Sequence, residues 1–85
     1  MNQILAVFTT RTHTLQYSRL LKQIGIPNNI ITTPRLISKA CGISVKFNYN
    51  FLTKASLLIN QYRLNSFKSF YLIEKTNSSI RYIPL

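Results

Sequence analysis

The chain has 85 residues and carries eleven Lys or Arg against one acid, a net charge of +10. A domain of this size buries roughly 60% of the surface its unfolded chain exposes. A hydrophobic content of 46%, with five Phe and five Tyr, supplies a core and excludes wholesale disorder. One Cys cannot form an intrachain disulfide, and it points to a reducing compartment. One Cys, one His (His13) and one Glu (Glu74) make neither a zinc cluster nor a carboxylate pair for acid–base chemistry. The expectation is a non-enzymatic protein with no cofactor and no stable metal.

No stretch approaches the roughly 20 apolar residues of a membrane-spanning helix. The charge-free interval Gln23 to Pro34 is broken by Gly25 and Pro27. The start, Met1-Asn2-Gln3, lacks the basic lead of a secretory signal. A cytoplasmic protein is expected. The abundance of Ile, Asn, Lys, Phe and Tyr suits an AT-rich genome, which makes the stroma or matrix of an organelle the alternative.

In chain order, the unbroken apolar run Ile4 to Phe8 predicts a strand over 3–9 buried on both faces. Thr10 or Thr12 can cap a helix over 13–24, whose apolar stripe is Tyr17, Leu20, Leu21 and Ile24. Gly25 and Pro27 end it. A β-branched segment predicts a strand over 28–33, and the connection Pro34 to Gly42 has room for one helical turn. Strict alternation of Ile43, Val45, Phe47 and Tyr49 predicts a half-exposed strand over 43–49. A second helix over 51–62 presents Leu52, Ala55, Leu58, Ile59 and Tyr62, and an aromatic-rich strand covers 67–74. The tail, 75–85, contains a polar turn and a possible short added strand.

The order β-α-β-β-α-β predicts one ferredoxin-like α+β domain over 1–85. Two helices would cover one face of a four-stranded antiparallel sheet, with the first and third strands central. The expected core is Ile4, Ala6, Phe8, Leu20, Leu21, Ile24, Val45, Phe47, Leu58 and Ile59.

Cys41 is the one unusual reactive group. It follows Pro34, Arg35, Ser38 and Lys39 and precedes Gly42, and nearby cations favour a thiolate over a thiol. Nucleophilic protease chemistry is excluded, because His13 is the sole candidate base and no Asp exists to orient it. On the residues alone Cys41 reads more readily as a small buried hydrophobe at a strand entrance.

The charge is the second signal. Arg35, Lys39 and Lys46 form a candidate basic surface, yet no run of adjacent charges makes a basic arm. An almost acid-free domain repels itself, which favours a polyanionic partner, either a larger acidic assembly or, by charge alone, nucleic acid. Stacking of bases on the third strand is not expected, because its polar face shows Ser44, Lys46 and Asn48. Tyr62, Tyr71 and Tyr82 are assigned to core or edge packing.

The segments Ile24-Gly25-Ile26-Pro27, Ile30-Ile31-Thr32-Thr33-Pro34-Arg35 and Ser38 through Cys41-Gly42-Ile43 resemble the Se/S carrier protein-like family, over roughly residues 3 to 73. Leu36 stands where the family usually has an acid, and the family is not characteristically this basic. The resemblance implies that Cys41 holds sulfur or selenium as a persulfide or selenosulfide, within a thiol loop of Pro34, Arg35, Ser38, Lys39 and Gly42. It also implies a sulfur donor or acceptor enzyme as partner. The alternative reading is a basic accessory or linker subunit docking on an acidic assembly or RNA, in which Cys41 is packing.

Overall fold

The computed structural model describes residues 2–37 and 41–85. The elements are β1 (Gln3–Phe8), α1 (Arg11–Gln23), β2 (Asn28–Thr32), β3 (Ile43–Asn48), α2 (Leu52–Gln61), β4 (Phe67–Lys75) and β5 (Ile80–Pro84). A 3₁₀ turn, Tyr49–Phe51, leads into α2. The strands form one antiparallel sheet in the order β2-β3-β1-β4-β5. The expected four strands are therefore five, because the tail returns and pairs Ile80 through Pro84 with Lys75 through Tyr71.

Both helices lie on one face. Their core joins Ile4, Ala6 and Phe8 to Tyr17, Leu20 and Leu21 of α1, Ala55 and Leu58 of α2, and Val45 and Phe47 of β3. Tyr17 ties the two helices, its hydroxyl donating to the Ala55 carbonyl at 2.7 Å. Its ring packs against Phe8 at 5.2 Å, and Phe8, Phe67 and Phe70 continue the aromatic contacts along the sheet. A second cluster, Leu5, Val7, Ile37 and Ile73, with Ile31, Tyr71 and Tyr82 against it, lies on the face without helices. Every residue from Ile4 to Phe8 is fully buried, as a continuous apolar run requires.

Both helices end in the same way. Gly25 has φ of 84° and donates to the Lys22 carbonyl, while Ile26 donates to Leu21, the two bonds of a Schellman turn. At the end of α2, Arg63 takes the glycine position with φ of 50°, donating to Asn60, while Leu64 donates to Ile59. Each turn drives the residue after it, Ile26 or Leu64, into the core at 1% exposure.

Three expectations are corrected here. Ile24 is 49% exposed, because as the C-cap it leaves helical geometry and its place in the core passes to Ile26. Tyr49 is in the 3₁₀ turn and exposed rather than in β3 beside Phe47, and Ile59 is half-buried at the core's margin. Pro34 to Ile37 makes a turn closed by the Ile37 N–H on the Pro34 carbonyl, and the rest of the connection in which a helical turn was expected lies partly outside the described residues.

Two outcomes are expected from these contacts. Arg63→Gly should raise unfolding free energy by up to about 1 kcal/mol and Gly25→Ala should lower it by about 1 kcal/mol, since only glycine adopts positive φ without cost. Urea denaturation of both variants checks this. Burial pushes the Tyr17 pKa up, so the folded state keeps a proton that the unfolded chain releases above about pH 10. The stability contributed below that pH should be lost as pH rises beyond it, and Tyr17→Phe should make the alkaline decline shallower.

Candidate functional site

Cys41 sits where β1 ends and α1 begins. Its backbone N–H donates to the Phe8 carbonyl at 3.2 Å, which fastens the end of the 33–42 connection to the central strand. Thr33 closes the neck of that connection: its N–H donates to the Gly42 carbonyl at 3.0 Å and its hydroxyl to the Cys41 carbonyl at 2.9 Å. With that proton committed, the buried Ser44 hydroxyl donates to Thr33 Oγ1 at 2.6 Å. Ile37, only 7% exposed, anchors the loop in the second cluster beside Val7, while its neighbour Leu36 stands 80% exposed.

Cys41 is half-buried, and its thiol points toward α1. Its Sγ donates to the Ile43 carbonyl at 3.1 Å. Thr14, fully buried in α1, brings Oγ1 to 3.3 Å from the sulfur and 3.0 Å from the Thr10 carbonyl. A hydroxyl has one proton, and here it has two acceptors. When the sulfur is ionised, the Thr14 hydroxyl can turn from Thr10 onto Sγ, a charge-assisted bond that is stronger than the one it leaves. The first turn of α1 carries no acid and begins with Arg11, so the helix end nearest the sulfur is its positive end.

Next to this site, the Ser66 N–H donates to His13 Nδ1 at 3.3 Å and the Ser66 hydroxyl lies 2.6 Å from the same nitrogen. Nδ1 is thus the acceptor, which assigns the ring proton to Nε2. The Thr10 and Ser66 hydroxyls meet at 2.9 Å, so this network locks the loop before β4 to the start of α1. His13 is absorbed in that lock. No group of His, Cys, Asp and Glu that could hold a metal occurs among the described residues.

Of the residues singled out from sequence, Cys41 and Gly42 lie at the loop neck, Pro34 is half-buried beside it, and Arg35 is exposed on the loop. Ser38 and Lys39 lie outside the described residues. Lys46 pairs across from Leu5 and Asn29 on the open face, whereas Thr14 approaches the sulfur from the helix face. Sequence reasoning missed Thr14, Thr33 and Ser44. The one available signal was the hydroxyl-rich stretch Thr9-Thr10-Arg11-Thr12-His13-Thr14, read only for capping.

A family model described as "Putative Se/S carrier protein-like" matches residues 3–71. The chain belongs to this family. The match runs from β1 into β4, includes Cys41, and stops before β5. No curated protein and no solved structure matches the chain. No helix among the described residues is long and apolar enough to cross a membrane.

The Thr14 contact has a measurable consequence. Thr14→Val, close in shape but without the hydroxyl, should slow native-state alkylation of Cys41 by about tenfold, the equivalent of one lost hydrogen bond to a charged group. Thr14→Ser should retain most of the rate. Iodoacetamide labelling of the folded protein at fixed pH reads this directly.

Proposed function

We propose that this protein carries sulfur or selenium on Cys41, accepting it from one partner enzyme and passing it to another. The observation that supports this most is the half-buried Cys41 with the hydroxyl of buried Thr14 3.3 Å from its sulfur, one donor set where a thiolate would need it. Loading is a thiol exchange. The Cys41 proton leaves to solvent, and the thiolate attacks the terminal sulfur of a partner's persulfide. A new S–S bond forms at Cys41, the partner's S–S bond breaks, and the partner departs as a thiolate. No net oxidation occurs. Delivery is the same step onto an acceptor, and selenium would take the place of the outer sulfur. Around Gly42 no atom of a described residue other than its chain neighbours lies within 4 Å of where a Cβ would stand, and Leu36 offers an apolar contact for a docking enzyme.

We read the sheet as ferredoxin-like, on the β-α-β-β-α-β order and the run β2-β3-β1-β4, with β5 appended at the β4 edge. A second functional reading is a basic, non-enzymatic accessory or linker subunit that docks on an acidic partner or RNA. It rests on charge: Glu74, the one side-chain carboxylate, pairs with Arg81 at 3.4 Å. The other ten cations have no side-chain carboxylate to meet within the chain, from eleven Lys and Arg less Arg81.

Incubation with a small-molecule persulfide donor, followed by intact mass measurement, tests the carrier. The native protein should gain the mass of one sulfur atom, and Cys41→Ser should gain none while keeping its fold. A Cys41 that reacts with persulfide or alkylating agent only after unfolding would overturn the carrier reading.

A further inference from the structure

The face of the sheet without helices carries its own arrangement of groups. Alternation and register place Gln3 and Leu5 of β1, Lys46 of β3, Tyr71, Ile73 and Lys75 of β4 and Tyr82 of β5 on this side. Glu74 and its partner Arg81 are on the other side. The open face therefore holds lysines and no side-chain carboxylate. Towards the start of β1 it dips into a hollow of about 250 Å³, lined by Gln3, Ile31, Lys46, Ile73, Lys75 and Tyr82 among others. Ile31 belongs to β2 and Tyr82 to β5, the two edges of the sheet, so the sheet curls around the hollow. Ile31 and Ile73 give it apolar lining, Tyr82 forms part of its wall, and Lys46, itself half-buried, lines it too.

Neither Lys46 nor Lys75 has a side-chain carboxylate on this face, so both are left to meet an anion from outside the chain. Two lysines flank the hollow. With strands about 4.8 Å apart and about 3.3 Å of rise per residue, their Cα atoms stand about 16 Å apart. Small organic anions would meet one of them. An acidic protein surface would meet both but has no use for the aromatic-walled hollow between them. A chain that alternates flat bases with phosphates answers both features, and the charge of +10 draws a polyanion to the whole molecule.

We propose that this face binds single-stranded nucleic acid, with a base in the hollow against Tyr82, the Gln3 amide at its edge and phosphates on Lys46 and Lys75. The proposal rests on the basic docking reading and is independent of the thiol. The third strand supplied no aromatic platform in sequence; β4 and β5 bring Tyr71 and Tyr82 to the face, where both pack on the second cluster and Tyr82 also borders the hollow.

Anisotropy of a labelled oligouridylate titrated with the full-length chain tests it. Binding should weaken with salt, and Lys46→Gln and Lys75→Gln should each reduce the log–log salt slope by about 0.7, one phosphate contact on a single strand. Tyr82→Leu keeps apolar bulk but removes stacking, and should weaken binding by about tenfold, whereas Tyr82→Phe should stay within about twofold. Lys54→Gln, on α2, and Cys41→Ser should bind as the native chain does. Native-like binding by Tyr82→Leu, or a loss in Lys54→Gln equal to that in Lys46→Gln, would overturn the site. Absence of oligouridylate binding alongside salt-sensitive retention on heparin would overturn this inference and leave docking on an acidic partner. Absence of both would overturn the docking reading as well.

Discussion

A strand buried on both faces needs cover on both faces, and that requirement on Ile4 to Phe8 organises the molecule. The two helices cover Ile4, Ala6 and Phe8. No helix remains for Leu5 and Val7, so their cover is assembled from pieces: Ile37 from the β2–β3 connection, Ile73 and Tyr71 from β4, and Tyr82 from β5. Ile37 can reach Val7 only if the connection folds back over the sheet. Folding back places Cys41 at the end of β1, where its N–H meets the Phe8 carbonyl. The position of the thiol is thus a consequence of how a central strand excludes water. β5 follows from the same need, which explains why a strand beyond the family match is integral to the sheet.

Hydroxyl groups then do at this end of the sheet what charged side chains do in more acidic proteins. With one side-chain carboxylate in the chain, helix caps and loop closures fall to Thr10, Thr14, Thr33, Ser44 and Ser66. Hydroxyls both donate and accept, so each can be satisfied in a buried network without a counter-ion. No buried side-chain nitrogen or oxygen among the described residues lacks a partner. The sulfur enters this network through Thr14. Among the described residues its hydrogen-bond partners are neutral, the Thr14 hydroxyl and the Ile43 carbonyl, while Lys46 is on the other face of the sheet and Arg35 is exposed on the loop.

Much of the fold could be read from local pattern. The apolar run at 4–8, the helical stripe of Tyr17, Leu20 and Leu21, and the alternation from Ile43 to Phe47 each state a periodicity that only one element type satisfies. Gly25 announced the end of α1 because positive φ has a residue signature. The matching turn at Arg63 had none, since arginine does not advertise that conformation. Ile24 was misplaced for a related reason: helical spacing continues on paper through a residue whose backbone has already left the helix.

Sequence alone determined the element order, the family, the single thiol and the shortage of carboxylates, because composition and short-range periodicity are properties of the chain itself. The partners of the thiol were decided by tertiary structure. Thr14 and Cys41 are 27 residues apart, and only the docking of α1 against the end of β3 brings their side chains together. The character of the open face was decided there too. Alternation can assign Lys46, Tyr71 and Tyr82 each to a face of its own strand. Which faces coincide depends on strand register and on the curl that brings β2 and β5 around one hollow, both set by long-range hydrogen bonding and packing.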